Sequence, residues 1–266
     1  MLFGIVGYPL AQTMSPMLHN WGFAKAHVPG VYMTWPTAPE KLADFFIAVR
    51  TLPIRGGSIT LPHKVPAMSL LDKVTDRAKR VGAVNAFYWE GGTLWGENTD
   101  VTGFMAPLKG RKFKNALVLG AGGACRAVLA GLQELGVPEI FIANRTASKA
   151  EALAGDFGIT RVDWEERASV GAELVVNSTS QGMKGDYVND TAFPGEGFKG
   201  KGLAYDIVYN PMQTRFMKEA AEAGWETQGG LAMFVEQARE AFRLWTDGKD
   251  LPAEGAAELV KKGLGL

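Results

Sequence analysis

Between Ala116 and Ala127 the chain reads Ala-Leu-Val-Leu-Gly-Ala-Gly-Gly-Ala-Cys-Arg-Ala, an apolar run that breaks into glycines and resumes as a helical pattern. Glycine lets a backbone turn tightly and come close to a ligand, and the helix after it offers free N–H groups and the positive end of its dipole to an anion. A strand, a glycine turn and a helix in that order open a Rossmann-type unit. Gly120, Ala121, Gly122, Gly123 and Ala124 would then be the backbone under a dinucleotide pyrophosphate. Cys125 stands where the third glycine of G-x-G-x-x-G belongs, so an ordinary strand-to-helix turn is the competing reading.

The residues beyond this turn fit a Rossmann-type unit. Strands are expected at Glu139–Ala143, Glu173–Val176 and Leu203–Ile207, with helices to Leu135 and over Ala147–Phe157, and such alternation with short connections implies a parallel sheet covered by helices. The second strand runs into Ile142-Ala143-Asn144-Arg145-Thr146. NAD sites usually end that strand with an acid for the ribose 2′-hydroxyl, whereas a guanidinium pairs with a 2′-phosphate, so NADP is the expected cofactor, with Lys149 adding charge one turn later. A solvated surface arginine is the plain alternative for Arg145. Asn177-Ser178-Thr179-Ser180 is either a polar turn or a loop lining the nicotinamide. Helices are expected over Leu231–Trp245 and Ala253–Lys262.

The first hundred residues also alternate. Strands are expected at Leu2–Val6, Val31–Trp35 and Gly57–Leu61, and Gly91-Gly92 joins Val84–Trp89 to Thr93–Trp95 as a hairpin. Ser15-Pro16 predicts a helix start, with Ser15 as N-cap and Pro16 at the first helical position, and that helix runs to about His27. Leu42, Phe45, Phe46 and Val49 share one face of a helix over Glu40–Arg50. With 266 residues, 47% of them hydrophobic, two modest domains are expected. The basic connector Lys109–Asn115 separates them.

Twenty-eight basic residues balance 28 acidic ones, which gives no field favouring nucleic acid or an anionic membrane. One cysteine excludes an internal disulfide framework. The opening Met1–Pro9 lacks a basic n-region and breaks at Gly7 and Pro9, and no apolar run approaches the roughly 18 residues that span a bilayer, so the expected location is the cytoplasm. His19, His27, His63 and Cys125 show no zinc-ligand spacing, and no metal is expected. Cys125 either has a lowered pKa near a helix N-terminus or fills space under the glycine loop.

Three features of the first half carry chemistry. Thr13 and Ser15 set two hydroxyls beside a helix start, which suits a carboxylate, although Ser15 as a simple cap needs no ligand. Lys64 follows Thr60-Leu61-Pro62-His63 at a strand end, where proline restrains it. Asn98-Thr99-Asp100 reads as a helix cap with Asp100 at the N-terminus.

In order along the chain, these segments resemble the shikimate dehydrogenase family. The resemblance covers nearly the whole sequence: Gly7-Tyr-Pro-Leu-Ala-Gln-Thr-Met-Ser-Pro16, Ile59-Thr-Leu-Pro-His-Lys64, Gly82-Ala-Val-Asn85, Asn98-Thr-Asp100, Gly120-Ala-Gly-Gly123, Asn144-Arg-Thr146, Asn177-Ser-Thr179, Tyr209-Asn-Pro211 and Gly230-Leu-Ala-Met-Phe-Val-Glu-Gln237. It implies NADP-linked, reversible reduction of 3-dehydroshikimate to shikimate in aromatic amino acid biosynthesis. Lys64 and Asp100 would be the catalytic pair. Thr13, Ser15, Thr60, Asn85 and Gln237 would hold the substrate's carboxylate and ring hydroxyls, with Tyr209 nearby. Cofactor contacts would come from Gly120, Ala121, Gly122, Gly123, Ala124, Asn144, Arg145, Thr146, Lys149, Ser178, Thr179, Ile207 and Gly230.

The fold so implied is two-domain α/β. A substrate-binding and catalytic domain with a mostly parallel sheet would span 1–101, completed by 238–266, and a Rossmann-like NADP domain 102–237, with the active site in the cleft between them. The expected partner is the small-molecule substrate, with no nucleic acid or membrane, in a monomer or homodimer. Thr13 and Ser58 depart from the family's usual serine and asparagine, which leaves quinate or another cyclic polyol acid as a competing substrate. A non-catalytic NADP-binding sensor is a further alternative.

Overall fold

The structure is a computed structural model that describes residues 1–10, 13–253 and 255–265. The chain divides into two compact units, Met1–Gly103 with Val235–Leu266, and Phe104–Phe234.

The first unit begins with β1 (Leu2–Gly7), α1 (Ser15–Lys25), β2 (Val31–Pro36), α2 (Leu42–Thr51), β3 (Ile54–Ile59), β4 (Lys73–Val74), α3 (Asp76–Val81), β5 (Ala86–Glu90), β6 (Thr93–Glu97) and α4 (Asp100–Met105). Its strands form one sheet in the order β2-β1-β3-β5-β6-β4. β1 lies parallel to β2 and β3, and β4 to β6, whereas β5 runs antiparallel to β3 and β6. Gly91 and Gly92 close the β5–β6 hairpin at φ of 56° and 78°, the left-handed region that a tight hairpin turn demands. Leu42, Phe46 and Val49 of α2 pack with Val6, Ile59 and Phe87 in one core cluster.

The second unit continues with β7 (Asn115–Leu119), α5 (Gly123–Glu134), β8 (Glu139–Ala143), α6 (Ala147–Phe157), β9 (Thr160–Arg161), β10 (Leu174–Asn177), β11 (Leu203–Asp206), α7 (Arg215–Glu222) and β12 (Glu226–Gln228). The sheet order is β12-β11-β10-β7-β8-β9, with every ladder parallel. Alternate residues of β7 go to opposite cores: Ala116 and Val118 pack with Val128 and Leu132 of α5, Leu117 and Leu119 with Phe216 and Ala220 of α7. Burial on both faces explains why that strand is apolar without interruption.

α8 (Leu231–Trp245) and α9 (Ala256–Gly263) end the chain, and the boundary between units falls once inside α4 and once inside α8. Within the first unit Trp245 donates its Nε1–H to Phe87 O at 3.0 Å and joins an aromatic group with Phe3, His19 and Tyr32. No helix among the described residues is long and apolar enough to cross a membrane.

Several boundaries differ from the expectations. Ser15 is not the N-cap of α1: Met14 holds that place, Ser15 is the first helical residue, and Pro16 lies one position further in. The reason is Thr13, whose Oγ1 accepts the Ser15 N–H and starts the turn earlier. α1 stops at Lys25, and His27 turns the chain at φ 51°. β3 begins at Ile54 rather than Gly57, and its glycines lie under close neighbours: a Cβ on Gly56 would meet the Trp245 ring at 2.5 Å, and one on Gly57 the Gly4 carbonyl at 2.5 Å. Those two absent side chains hide the strand's alternation. α9 starts at Ala256; Glu254, in the expected helix, and Ala11 and Gln12, inside the Gly7–Pro16 motif, lie outside the described residues. Sequence reading passed over α3, although Thr75 caps it by accepting the Ala78 N–H and Gly82 ends it in the left-handed region.

Candidate active site

Past the end of β3 the chain is fastened on both sides of Lys64. The His63 N–H donates to Thr60 O at 2.9 Å, the buried His63 ring meets Thr37 O at 2.7 Å, and Lys64 O accepts the Val84 N–H at 2.8 Å. Lys64 Nζ donates to Asp100 Oδ2 at 2.5 Å, although the two residues lie 36 positions apart. Their side chains are 14% and 9% exposed, so little solvent screens the attraction.

Asn85 stands behind this pair. Its Nδ2 donates to Asp100 Oδ1 at 2.8 Å and to Thr99 Oγ1 at 3.0 Å, and its Oδ1 accepts the Thr99 N–H at 2.7 Å. Both amide hydrogens are therefore engaged inside the protein, in a network that fixes Asp100 at the first turn of α4. Thr13 Oγ1 donates to Ser15 Oγ at 3.2 Å, which groups these two hydroxyls at the start of α1. Thr60 is half-buried just beyond β3, and Gln237 is half-buried on the part of α8 that belongs to this unit. Ser58 Oγ accepts the Tyr32 hydroxyl at 2.8 Å. Tyr32 is fully buried and stacks on His19, whose imidazole is pushed down to about 3 by burial and stays neutral.

The second unit gathers its predicted residues around the ends of β7, β8, β10 and β11. Gly120 has φ +106°, and a Cβ there would lie 2.9 Å from both Ser178 Oγ and Thr179 Cγ2, so only glycine fits. Gly122 is the N-cap of α5, and the space where its side chain would stand is open, which leaves the Ala121–Ala124 backbone approachable. Ser178 donates its hydroxyl to Leu119 O at 2.7 Å and Thr179 donates to Asn177 Oδ1 at 2.7 Å, tying the loop after β10 to the glycine turn. Ile207 and Gly230 meet closely: a Cβ on Gly230 would sit 2.1 Å from Ile207 O. The Tyr209 ring stacks on Phe234 at 4.6 Å. Arg145, Thr146 and Lys149 are exposed beyond β8, beside Asn144, and among the described residues neither cation makes an ion pair. Cys125 is buried and its thiol is pushed up to about 12, chiefly by desolvation, so it packs rather than reacts.

Asp206 escaped the sequence reading. It ends β11, fully buried, and accepts from Thr214 Oγ1 at 2.6 Å, Asn177 Nδ2 at 3.0 Å and the Val208 N–H at 3.0 Å. Desolvation pushes its carboxyl up to about 6, against the lowering effect of those hydrogen bonds. An acid closing the otherwise apolar Leu203-Ala-Tyr run was the available signal. Among the described residues no group of three or more His, Cys, Asp or Glu could hold a metal ion.

A positive-φ glycine with no room for a side chain, an open helix N-terminus and, one strand away, two cations that make no ion pair among the described residues fit a dinucleotide carrying an extra phosphate. Three family models match the chain: the shikimate dehydrogenase substrate binding domain over residues 5–87, shikimate/quinate 5-dehydrogenase over 106–182, and the shikimate 5′-dehydrogenase C-terminal domain over 230–261. The shikimate dehydrogenase (NADP(+)) of Maridesulfovibrio salexigens is 48% identical over 265 residues, 99% of this chain and 97% of that one. The crystal structure of shikimate 5-dehydrogenase from Thermus thermophilus in complex with NADP(H) and shikimate is 39% identical with a TM-score of 0.90, covering 98% of this chain and 99% of that one. Quinate dehydrogenase from Corynebacterium glutamicum in complex with NAD is 30% identical, also with a TM-score of 0.90, covering 98% and 99%. The two-unit α/β fold, the ordered motifs and these relatives agree, and the chain belongs to the shikimate dehydrogenase family.

Proposed function

We propose that this protein is an NADP-dependent shikimate dehydrogenase that interconverts 3-dehydroshikimate and shikimate, in the cytoplasm, as a monomer or homodimer. The observation that carries the reading is the Lys64–Asp100 pair, an ammonium held at 2.5 Å by a carboxylate that Asn85 fixes in turn. NADPH, when bound, supplies a hydride to the ring ketone. Lys64 donates a proton to the ketone oxygen as negative charge builds there, and takes it back in the reverse direction. Asp100 aims the lysine through their direct contact. Thr13, Ser15, Thr60 and Gln237 hold the substrate's carboxylate and hydroxyls, with Tyr209 nearby, while Asn85 acts mainly by holding Asp100.

The first unit is thus the substrate and catalytic domain and the second the NADP domain. Gly120 to Ala124 cradle the pyrophosphate, Asn144, Arg145, Thr146 and Lys149 surround the 2′-phosphate, and Thr179, Ile207 and Gly230 line the nicotinamide half. Ser178 acts through Leu119.

Steady-state rates with shikimate and quinate, each with NADP and NAD, test the proposal. The expected result is the highest kcat/KM for shikimate with NADP. Quinate is the second reading, motivated by Thr13, by the engagement of Ser58 with Tyr32, and by likeness to a quinate dehydrogenase. Equal or higher kcat/KM for quinate would replace the first reading with the second.

A further inference from the structure

We infer that Arg77 is a positioning residue that fixes both Asp100 and the helix carrying Gln237. Its guanidinium makes three directed contacts: Nε donates to Glu97 Oε1 at 3.1 Å, Nη1 to Thr102 Oγ1 at 2.6 Å and Nη2 to Glu240 Oε1 at 3.4 Å. Glu97 immediately precedes Asn98-Thr99-Asp100, and Thr102 lies two residues beyond Asp100. The planar fork therefore grips the turn from both sides. Glu240 lies on α8, one turn beyond Gln237, so the third contact fixes that helix to the same guanidinium. A lysine, with its single point of charge, cannot span three acceptors in this way.

Glu97 makes the arrangement rigid rather than incidental. It is 6% exposed, and its Oε1 also accepts from Thr75 Oγ1 at 2.9 Å and from the Asn98 N–H at 2.6 Å. Thr75 in turn caps α3, the helix that carries Arg77. A buried carboxylate held by the cap, the guanidinium and the turn's own backbone fixes the strand end from which Asn98-Thr99-Asp100 departs. The remaining groups of the network continue along α8, where Glu240 Oε2 accepts from Arg243.

The inference rests on the assignment of Lys64, Asp100 and Gln237 proposed above. Arg77→Ala strands a buried carboxylate, so it reports folding as well as positioning. The decisive variants remove one arm at a time: Thr102→Val keeps the side-chain shape, and Glu240→Gln removes the charge on α8. Steady-state kinetics should show Thr102→Val lowering kcat for shikimate oxidation about tenfold, the effect of one lost charge-assisted hydrogen bond, with KM for NADP unchanged and the thermal midpoint lowered by only a few degrees, well above the assay temperature. Glu240→Gln should raise KM for shikimate by roughly threefold with kcat little altered, since its contact is the longest. Arg77→Lys, where it folds, should combine both changes. Wild-type kinetics for Thr102→Val and Glu240→Gln would overturn the inference. Lys64→Ala run in parallel separates the two levels: if it is inactive while the Thr102 and Glu240 variants are normal, only the role of Arg77 is lost, whereas an active Lys64→Ala removes the catalytic reading itself.

Discussion

Lys64 and Asp100 are 14% and 9% exposed and bonded to each other, whereas Arg145 and Lys149 stand exposed and, among the described residues, without an ion-pair partner. Both regions lie just past the ends of strands, and both use charge. The difference comes from the task. In the proposed reading Lys64 is a proton donor, which must be aimed, and the closed network of Asn85, Thr99 and Asp100 holds its carboxylate partner in place. A phosphate site needs only accumulated positive charge and accessible N–H groups, and cations already paired inside the protein would have less to offer an incoming anion.

Removing one member of the closed network should give the largest effect. Lys64→Ala is expected to lower turnover by about 10²- to 10⁴-fold with NADPH affinity, read by fluorescence titration, nearly intact. Near-normal turnover would break the contrast at its strongest point.

Asp206 sharpens it, being a buried carboxylate within the otherwise open second unit. Its carboxyl, pushed up from 3.8 to about 6, favours the protonated form in the folded state. That contribution to stability is fully present below 3.8 and is lost as pH rises through about 6, a change of roughly 3 kcal/mol at 1.36 kcal/mol per pKa unit. Urea unfolding between pH 4 and 7 should show the wild-type protein losing stability relative to Asp206→Asn across that window. Parallel curves would remove the claim.

The smallest effect belongs to the open loop. Arg145→Ala should raise KM for NADP about tenfold and leave kcat at saturating cofactor unchanged, with KM for NAD unaffected. A fall in kcat instead would mean that Arg145 is part of a positioned network after all.

Local patterns were legible. Glu139–Ala143, Ala147–Phe157 and Leu231–Trp245 were expected over the spans in which they form, because each carries a clear period and clear ends. β3 was displaced since glycines at 56 and 57 erase the alternation that a strand normally shows. α3 and α7 were missed although Thr75 and Thr214 cap them, since the two helices run over only 6 and 8 residues. At the site, Lys64 and Asp100 stood out as residue types in suggestive surroundings, but the double engagement of Asn85 could not be read, nor the partnership of Ser58 with Tyr32.

Sequence alone settled the two α/β units, the glycine turn between β7 and α5, and the family, because those rest on short-range periodicity and ordered motifs. Tertiary structure alone decided that Lys64 meets Asp100 across 36 residues, that Arg77 grips Glu97, Thr102 and Glu240 together, and that Asp206 is buried deeply enough to hold its proton to about pH 6. Hydrogen-bond geometry and desolvation depend on which distant segments the fold brings side by side, and no local window of residues contains that information.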